Sequence, residues 1–171
     1  MKRILGIRAF RNDDRGAAVV ELTLVLPFLI LIAAGLSEFG MMVSQQQVVT
    51  KSVRDAARYA ARTSFAFKTC PLNAQTEWAA LVTDTTNIAL RGSVDPAAPL
   101  LISTYNNSSM VTIADSCAPA GTFVSPAGGG NDIPVITVTA TVPYAGIGFL
   151  SFLGLSTFNL TAAHAEMWTG L

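Results

Sequence analysis

The sequence predicts an α+β protein in which a long N-terminal transmembrane helix continues into a small extracytoplasmic domain with a second helix and an antiparallel sheet. Three observations predict it. Residues 17–36 form an apolar run whose only charge is Glu21. Residues 38–65 continue at helical spacing without a proline. From residue 100 the pattern changes to short β-rich runs, and 133–142 alternates most clearly. A length of 171 residues holds one domain plus an anchor. The chain is therefore divided into a cytoplasmic leader (1–16), an N-terminal helix (17–65, with 17–36 transmembrane and 37–65 extracytoplasmic) and a head domain (66–171).

Composition supports an anchor and excludes several function classes. A hydrophobic share of 51%, a charged share of 13% and a mean hydropathy of +0.47 are too apolar for an ordinary soluble domain, which is about 25% charged. Formal net charge is zero, but Lys2, Arg3, Arg8, Arg11 and Arg15 outweigh Asp13 and Asp14, so the leader is net positive and the remainder net negative. Without a concentrated basic surface, nucleic acid is not the expected partner. The lone histidine, His164, has no nucleophile motif or ligand cluster around it, so neither catalysis, a metal nor a cofactor is expected. Glu166, two residues on, shares its strand face.

Taken in order, the leader has too little apolar periodicity for a packed element. Residues 17–36 then suffice for a span, since a helix of about 20 residues crosses the roughly 30 Å hydrocarbon core. Pro27 removes the amide that would bond to the Thr23 carbonyl, giving either a harmless kink or a hinge. Five basic residues precede the span and Lys51, Arg54, Arg58 and Arg62 follow it, a slight bias toward a cytoplasmic N-terminus. Beyond the span, Val49, Val53, Ala56, Ala57, Ala60 and Ala61 recur on one helix face. Arg54, Arg58 and Arg62 step along another edge, as a solvated face or as a contact for acids of a neighbouring subunit; Asp55 is placed to pair with Lys51 or Arg58.

Cys70-Pro71 ends the helical pattern. A second helix is expected over 76–90, with Thr76 as N-cap, Trp78 in the core and Gly92 as the stop. Residues 100–105 and 110–114 read as a hairpin around Asn106-Asn107-Ser108-Ser109. Residues 119–132, with Gly128-Gly129-Gly130, read as a loop. Strands are expected over 133–142, closed by Pro143, and over 158–168, paired with each other. The apolar stretch 145–155 between them is too short to cross a bilayer and is either a loop over the core or a patch for lipid or a partner. Cys70 and Cys117 are the only cysteines; they read as a structural disulfide outside the cytosol or as two thiols.

Glu21 is the residue most in need of explanation. A carboxylate in an apolar span costs of order +2.5 to 3.5 kcal/mol at the membrane centre and less near an interface. It either snorkels to the headgroups or has a partner. Arg15-Gly16-Ala17-Ala18-Val19-Val20-Glu21, the apolar run through Leu26-Pro27, Ser37-Glu38-Phe39-Gly40 and Val53-Arg54-Asp55-Ala56-Ala57-Arg58-Tyr59-Ala60 together resemble TadE-like proteins, pseudopilins of the bacterial tight-adherence (Tad) pilus system. The resemblance covers about residues 15–62. It implies a pilin-like fold, a prepilin peptidase that cuts between Gly16 and Ala17 on the cytoplasmic side, and Glu21 as an assembly residue. Such a cut leaves an α-amino group on Ala17 that can meet the Glu21 carboxylate of an offset copy.

The expected function is that of a minor pilin or pseudopilin of the inner membrane, with other pilin subunits, the peptidase and membrane lipid as partners. The rivals are a secreted binding module, whose signal peptide would use 22–32 as its apolar region, and an uncleaved membrane-anchored adhesin.

Overall fold

The computed structural model describes residues 14–63, 70–119, 132–155 and 158–169. The expectations for the leader up to residue 13, for 64–69 after the first helix and for the glycine-rich loop 120–131 lie outside the described residues. The fold is α+β: a long apolar N-terminal helix, a second helix and a three-stranded antiparallel sheet. By compactness the chain divides into two units, Met1–Gly40 and Met41–Leu171.

Helix α1 spans Asp14–Arg62. It begins ahead of residue 17, because extending an existing helix is cheap and one glycine costs only about 1 kcal/mol relative to alanine. Pro27 lies inside it. Nearby hydroxyls are satisfied within the helix, Thr23 Oγ1 donating to the Val19 carbonyl at 2.7 Å and Ser37 Oγ to Ala33 at 2.9 Å. Among the described residues α1 alone is long and apolar enough to cross a membrane, its most apolar window having a mean hydropathy of 2.5 and no buried residue. Val19, Leu24, Phe28 and Ile32 are all more than half exposed. A continuous apolar surface of that kind is stable only under lipid or other helices.

In the second unit the same helix becomes the backbone of a core. Val49, Val53, Ala56, Ala57 and Ala60 follow the i, i+4, i+7 rhythm and are essentially fully buried. They cluster with Leu72, Leu81, Ala89 and Leu90, with Tyr105 and Trp168, and with Ile136, Val138, Ala140 and Val142. Burying one Leu, Val or Ile side chain contributes about 1.5–3 kcal/mol, so this cluster fixes the head on the upper part of α1. Helix α2 spans Trp78–Arg91 and ends on Gly92 at φ 71°, the left-handed conformation that glycine adopts without a Cβ clash. Thr76 is not its cap: the helix starts after Glu77, no side chain caps it, and the Thr76 hydroxyl bonds to Glu77 instead.

The sheet has the order β1 (Val111–Pro119), β2 (Asp132–Pro143), β3 (Asn159–Met167), antiparallel throughout. The pairing runs from Pro119↔Asp132 to Val111↔Ala140 on one side of β2 and from Val135↔Met167 to Pro143↔Asn159 on the other. Pro134, Ile136, Val138, Ala140 and Val142 face the core, so Ile133 and Val135 fall on the opposite face.

The expected hairpin between 100–105 and 110–114 does not form. Residues 100–105 run as bends and turns, with Leu101 N donating to Leu90 O and Tyr105 N to Ile102 O. Asn107 Oδ1 accepts from Ser109 N at the start of a short 3-10 turn, Ser108–Met110, and the following strand pairs with β2. The apolar residues of 100–105 serve as separate anchors: Tyr105 is fully buried, and Leu100 and Ile102 pack on the cluster.

Among the described residues the Tyr105 hydroxyl is buried without a hydrogen-bond partner at bonding distance, and burial pushes the phenol up to about 12, opposed by Ser52 nearby. An unmet buried hydroxyl costs about 1–3 kcal/mol. Tyr105→Phe should therefore leave stability unchanged or raise it, whereas Tyr105→Ala should lose about 3–5 kcal/mol through the cavity; urea unfolding of the detergent-solubilised protein measures both.

Candidate functional site

The first candidate site is the start of α1. Gly16, Ala17 and Glu21 all lie within the helix. A Cβ built on Gly16 would meet no atom of the described residues within 4 Å, so none of them requires glycine there. Ala17 and Glu21 stand four residues apart on one face. Glu21 is exposed, and among the described residues it makes no ion pair or side-chain hydrogen bond. A carboxylate on a surface formed otherwise by Val19, Val20, Leu22, Leu24 and Val25 has to find its cation or its water outside these residues.

The second candidate site lies where α1 crosses the edge strand β3. Leu160, Ala162, His164 and Glu166 alternate on the inner face of β3, and that face turns polar toward its C-terminal end. His164 Nε2 and Glu166 Oε1 are 2.9 Å apart, and Arg58 Nε is 3.5 Å from the same oxygen. Arg58 thus pairs within its own chain. Arg54 and Arg62 are exposed, and Asp55 forms no ion pair with Lys51 or Arg58 among the described residues. Arg58, Ala61, Arg62, Glu166, Met167 and Thr169 line an open recess beside the pair. Thr169 N donates to Ala61 O at 2.9 Å and Trp168 Nε1 to Thr63 O at 3.4 Å, which fixes the end of the sheet on the helix.

The hydrogen bond from His164 holds the Glu166 carboxyl below its ordinary range; burial opposes it, and the charge of His164 and the hydrogen bond and charge of Arg58 add to the lowering. The sign follows from linkage: with the folded value lowered, the unfolded chain binds more protons in acid. The contribution is complete above the ordinary carboxylate range and disappears as pH falls through the lowered folded value. Half-exposed pairs contribute only about 0.2–1 kcal/mol. Denaturation curves of wild type and Glu166→Gln should therefore differ slightly at neutral pH and converge in acid.

The structure joins Cys70 to Cys117 in a disulfide, with Cα atoms 6.0 Å apart. Asn73 N donates to Asp115 Oδ2 at 3.1 Å beside it, so the segment after α1 is tied to β1 twice. Among the described residues no group of three or more His, Cys, Asp or Glu could hold a metal ion. Two features carried no clear sequence signal. Glu38, quoted above only as part of a motif, has 4% of its surface exposed, and an acid next to Phe39 in an otherwise apolar stretch was the available hint. The partnership of Arg58 with Glu166 joins residues distant in sequence, and no local pattern announces it.

A family model described as TadE-like protein matches residues 16–58. The match starts at Gly16, includes Glu21 and ends at Arg58, within α1. No curated protein and no solved structure matches the chain.

Proposed function

We propose that this chain is a minor pilin or pseudopilin of a tight-adherence pilus, held in the inner membrane by α1 with its N-terminus cytoplasmic and its head outside. On this reading a prepilin peptidase cuts between Gly16 and Ala17, and the mature helix packs among those of other pilin subunits during assembly and adhesion. The observation that carries it is Glu21, an exposed carboxylate on an apolar helix that makes no ion pair among the described residues, inside the segment that matches the TadE-like model. The freedom of Gly16 from steric demand by the described residues adds support, because a glycine that they do not need is explained by a peptidase that does.

Arg54 and Arg62 remain exposed on α1 for acids of neighbouring subunits, while Arg58 is engaged by Glu166. Nothing in this role calls for catalysis, and nucleic acid has no place in it. The test is piliation. A strain whose only copy carries Glu21→Ala should lose most of its pili while the protein stays in the membrane fraction, and normal piliation would contradict the proposal.

A further inference from the structure

The connection between β2 and β3 carries an apolar surface that the head does not use. Residues 144–158 contain no charged side chain. The connection is closed at its base by Tyr144 N donating to Phe158 O at 3.0 Å and by the stacked rings of Tyr144 and Phe158, 4.9 Å between centroids. Gly148 (φ 92°) and Gly154 (φ 73°) turn the chain on either side of a single helical turn, α3 (Phe149–Phe152). Phe152 is 81% exposed, the highest value for a large apolar side chain among the described residues, and Ile147, Leu153 and Leu155 are each more than half exposed. Against water this is a costly surface.

We infer that this loop docks on lipid, burying Phe152, Leu153, Leu155 and Ile147 at the headgroup–acyl boundary of the bilayer that α1 crosses; the inference rests on the membrane anchoring proposed above. Chain connectivity favours lipid over a protein partner. Gln45 Nε2 donates to the Ala145 carbonyl at 2.8 Å and Gln46 Nε2 to the Thr161 carbonyl at 2.9 Å. Gln45 and Gln46 follow the end of the apolar run at Leu36 by nine and ten residues, with the apolar Phe39, Met41, Met42 and Val43 between, so the loop is fastened to the part of α1 that first follows the span. Composition points the same way. Protein interfaces surround their apolar centre with a polar rim and recruit arginine, whereas this loop offers aromatic and aliphatic side chains with only hydroxyls between them, the chemistry of an interfacial insertion.

The experiment uses the full chain in vesicles of phosphatidylethanolamine and phosphatidylglycerol, with a photoreactive benzophenone side chain replacing Phe152. The same label replacing Leu24 reports on the span. Replacing Ser116 reports on the exposed far end of the sheet, because Ser116 pairs with Val135 while the loop starts beyond Pro143, about 26 Å along β2. After irradiation, mass spectrometry should find lipid adducts at 152 at least about tenfold above those at 116, as expected for a side chain within the acyl boundary. Adducts at 152 to a second copy, or lipid yields no higher than at 116 while position 24 is labelled, overturn the docking and leave the anchor standing. Absence of lipid adducts at all three positions overturns both.

Discussion

Glu21→Ala should abolish most pilus assembly without reducing membrane insertion. Insertion should improve if anything, because removing a carboxylate from an apolar helix relieves a cost of order +2.5 to 3.5 kcal/mol at the membrane centre. Assembly should fail because the acid's partner, proposed to be the new α-amino group of Ala17 on another copy, loses its counter-charge where little water can replace it. A loss of only 1.4 kcal/mol per contact lowers an association constant about tenfold, and a filament repeats its contacts. Glu21→Gln separates charge from shape: it keeps the size and polarity but not the anion, and should be nearly as defective as alanine. Electron microscopy of pili with immunoblotting of the membrane fraction measures both halves. If Glu21→Gln pili were normal, the ionic account of this residue would be wrong.

Cys117→Ser should produce a large loss of stability in the head. The disulfide links residues 47 apart, and in the chain-entropy account a loop of that length contributes about 4 kcal/mol by constraining the unfolded state. Domains are typically stable by only 5–15 kcal/mol, so the variant would forfeit a large part of the total. The unfolding midpoint should fall by more than about 10 °C, and Cys70→Ser should match it because either change removes the same bond. Reduction of the wild type should reproduce the loss and shift its mobility in a non-reducing gel. An unchanged midpoint would mean that the bond constrains nothing that matters for stability.

Elements with long, unambiguous periodicity were legible in the sequence. Helix α1 is an apolar run followed by the Val49, Val53, Ala57, Ala60 stripe, and the stripe is buried. Strands β2 and β3 alternate and pair with each other, as their patterns predict. Residues 100–105 differ from the expected strand for a physical reason. A short apolar run suits either a strand or a series of turns that drop single side chains into a core, and the choice depends on a partner strand remote in sequence. Among the described residues the outer edge of β1 pairs with no strand, and Leu100, Ile102 and Tyr105 serve as separate anchors instead.

The candidate sites divide in the same way. That Glu21 is out of place could be seen from its apolar neighbours alone, and so could the shared face of His164 and Glu166. The role of Arg58 could not, since an i+4 ladder of arginines looks the same whether it faces water, a partner or an acid on its own sheet. Geometry assigned one of the three to Glu166 and left Arg54 and Arg62 exposed.

The proposal that residues 15–21 form a processing and assembly signal on a membrane helix stands or falls on the native N-terminus. Intact mass and N-terminal sequencing of the protein extracted from its own membranes should give a chain that starts at Ala17. A start near Leu36 would identify a secreted module released from a signal peptide, and a retained Met1 would identify an uncleaved anchor; either would contradict the account.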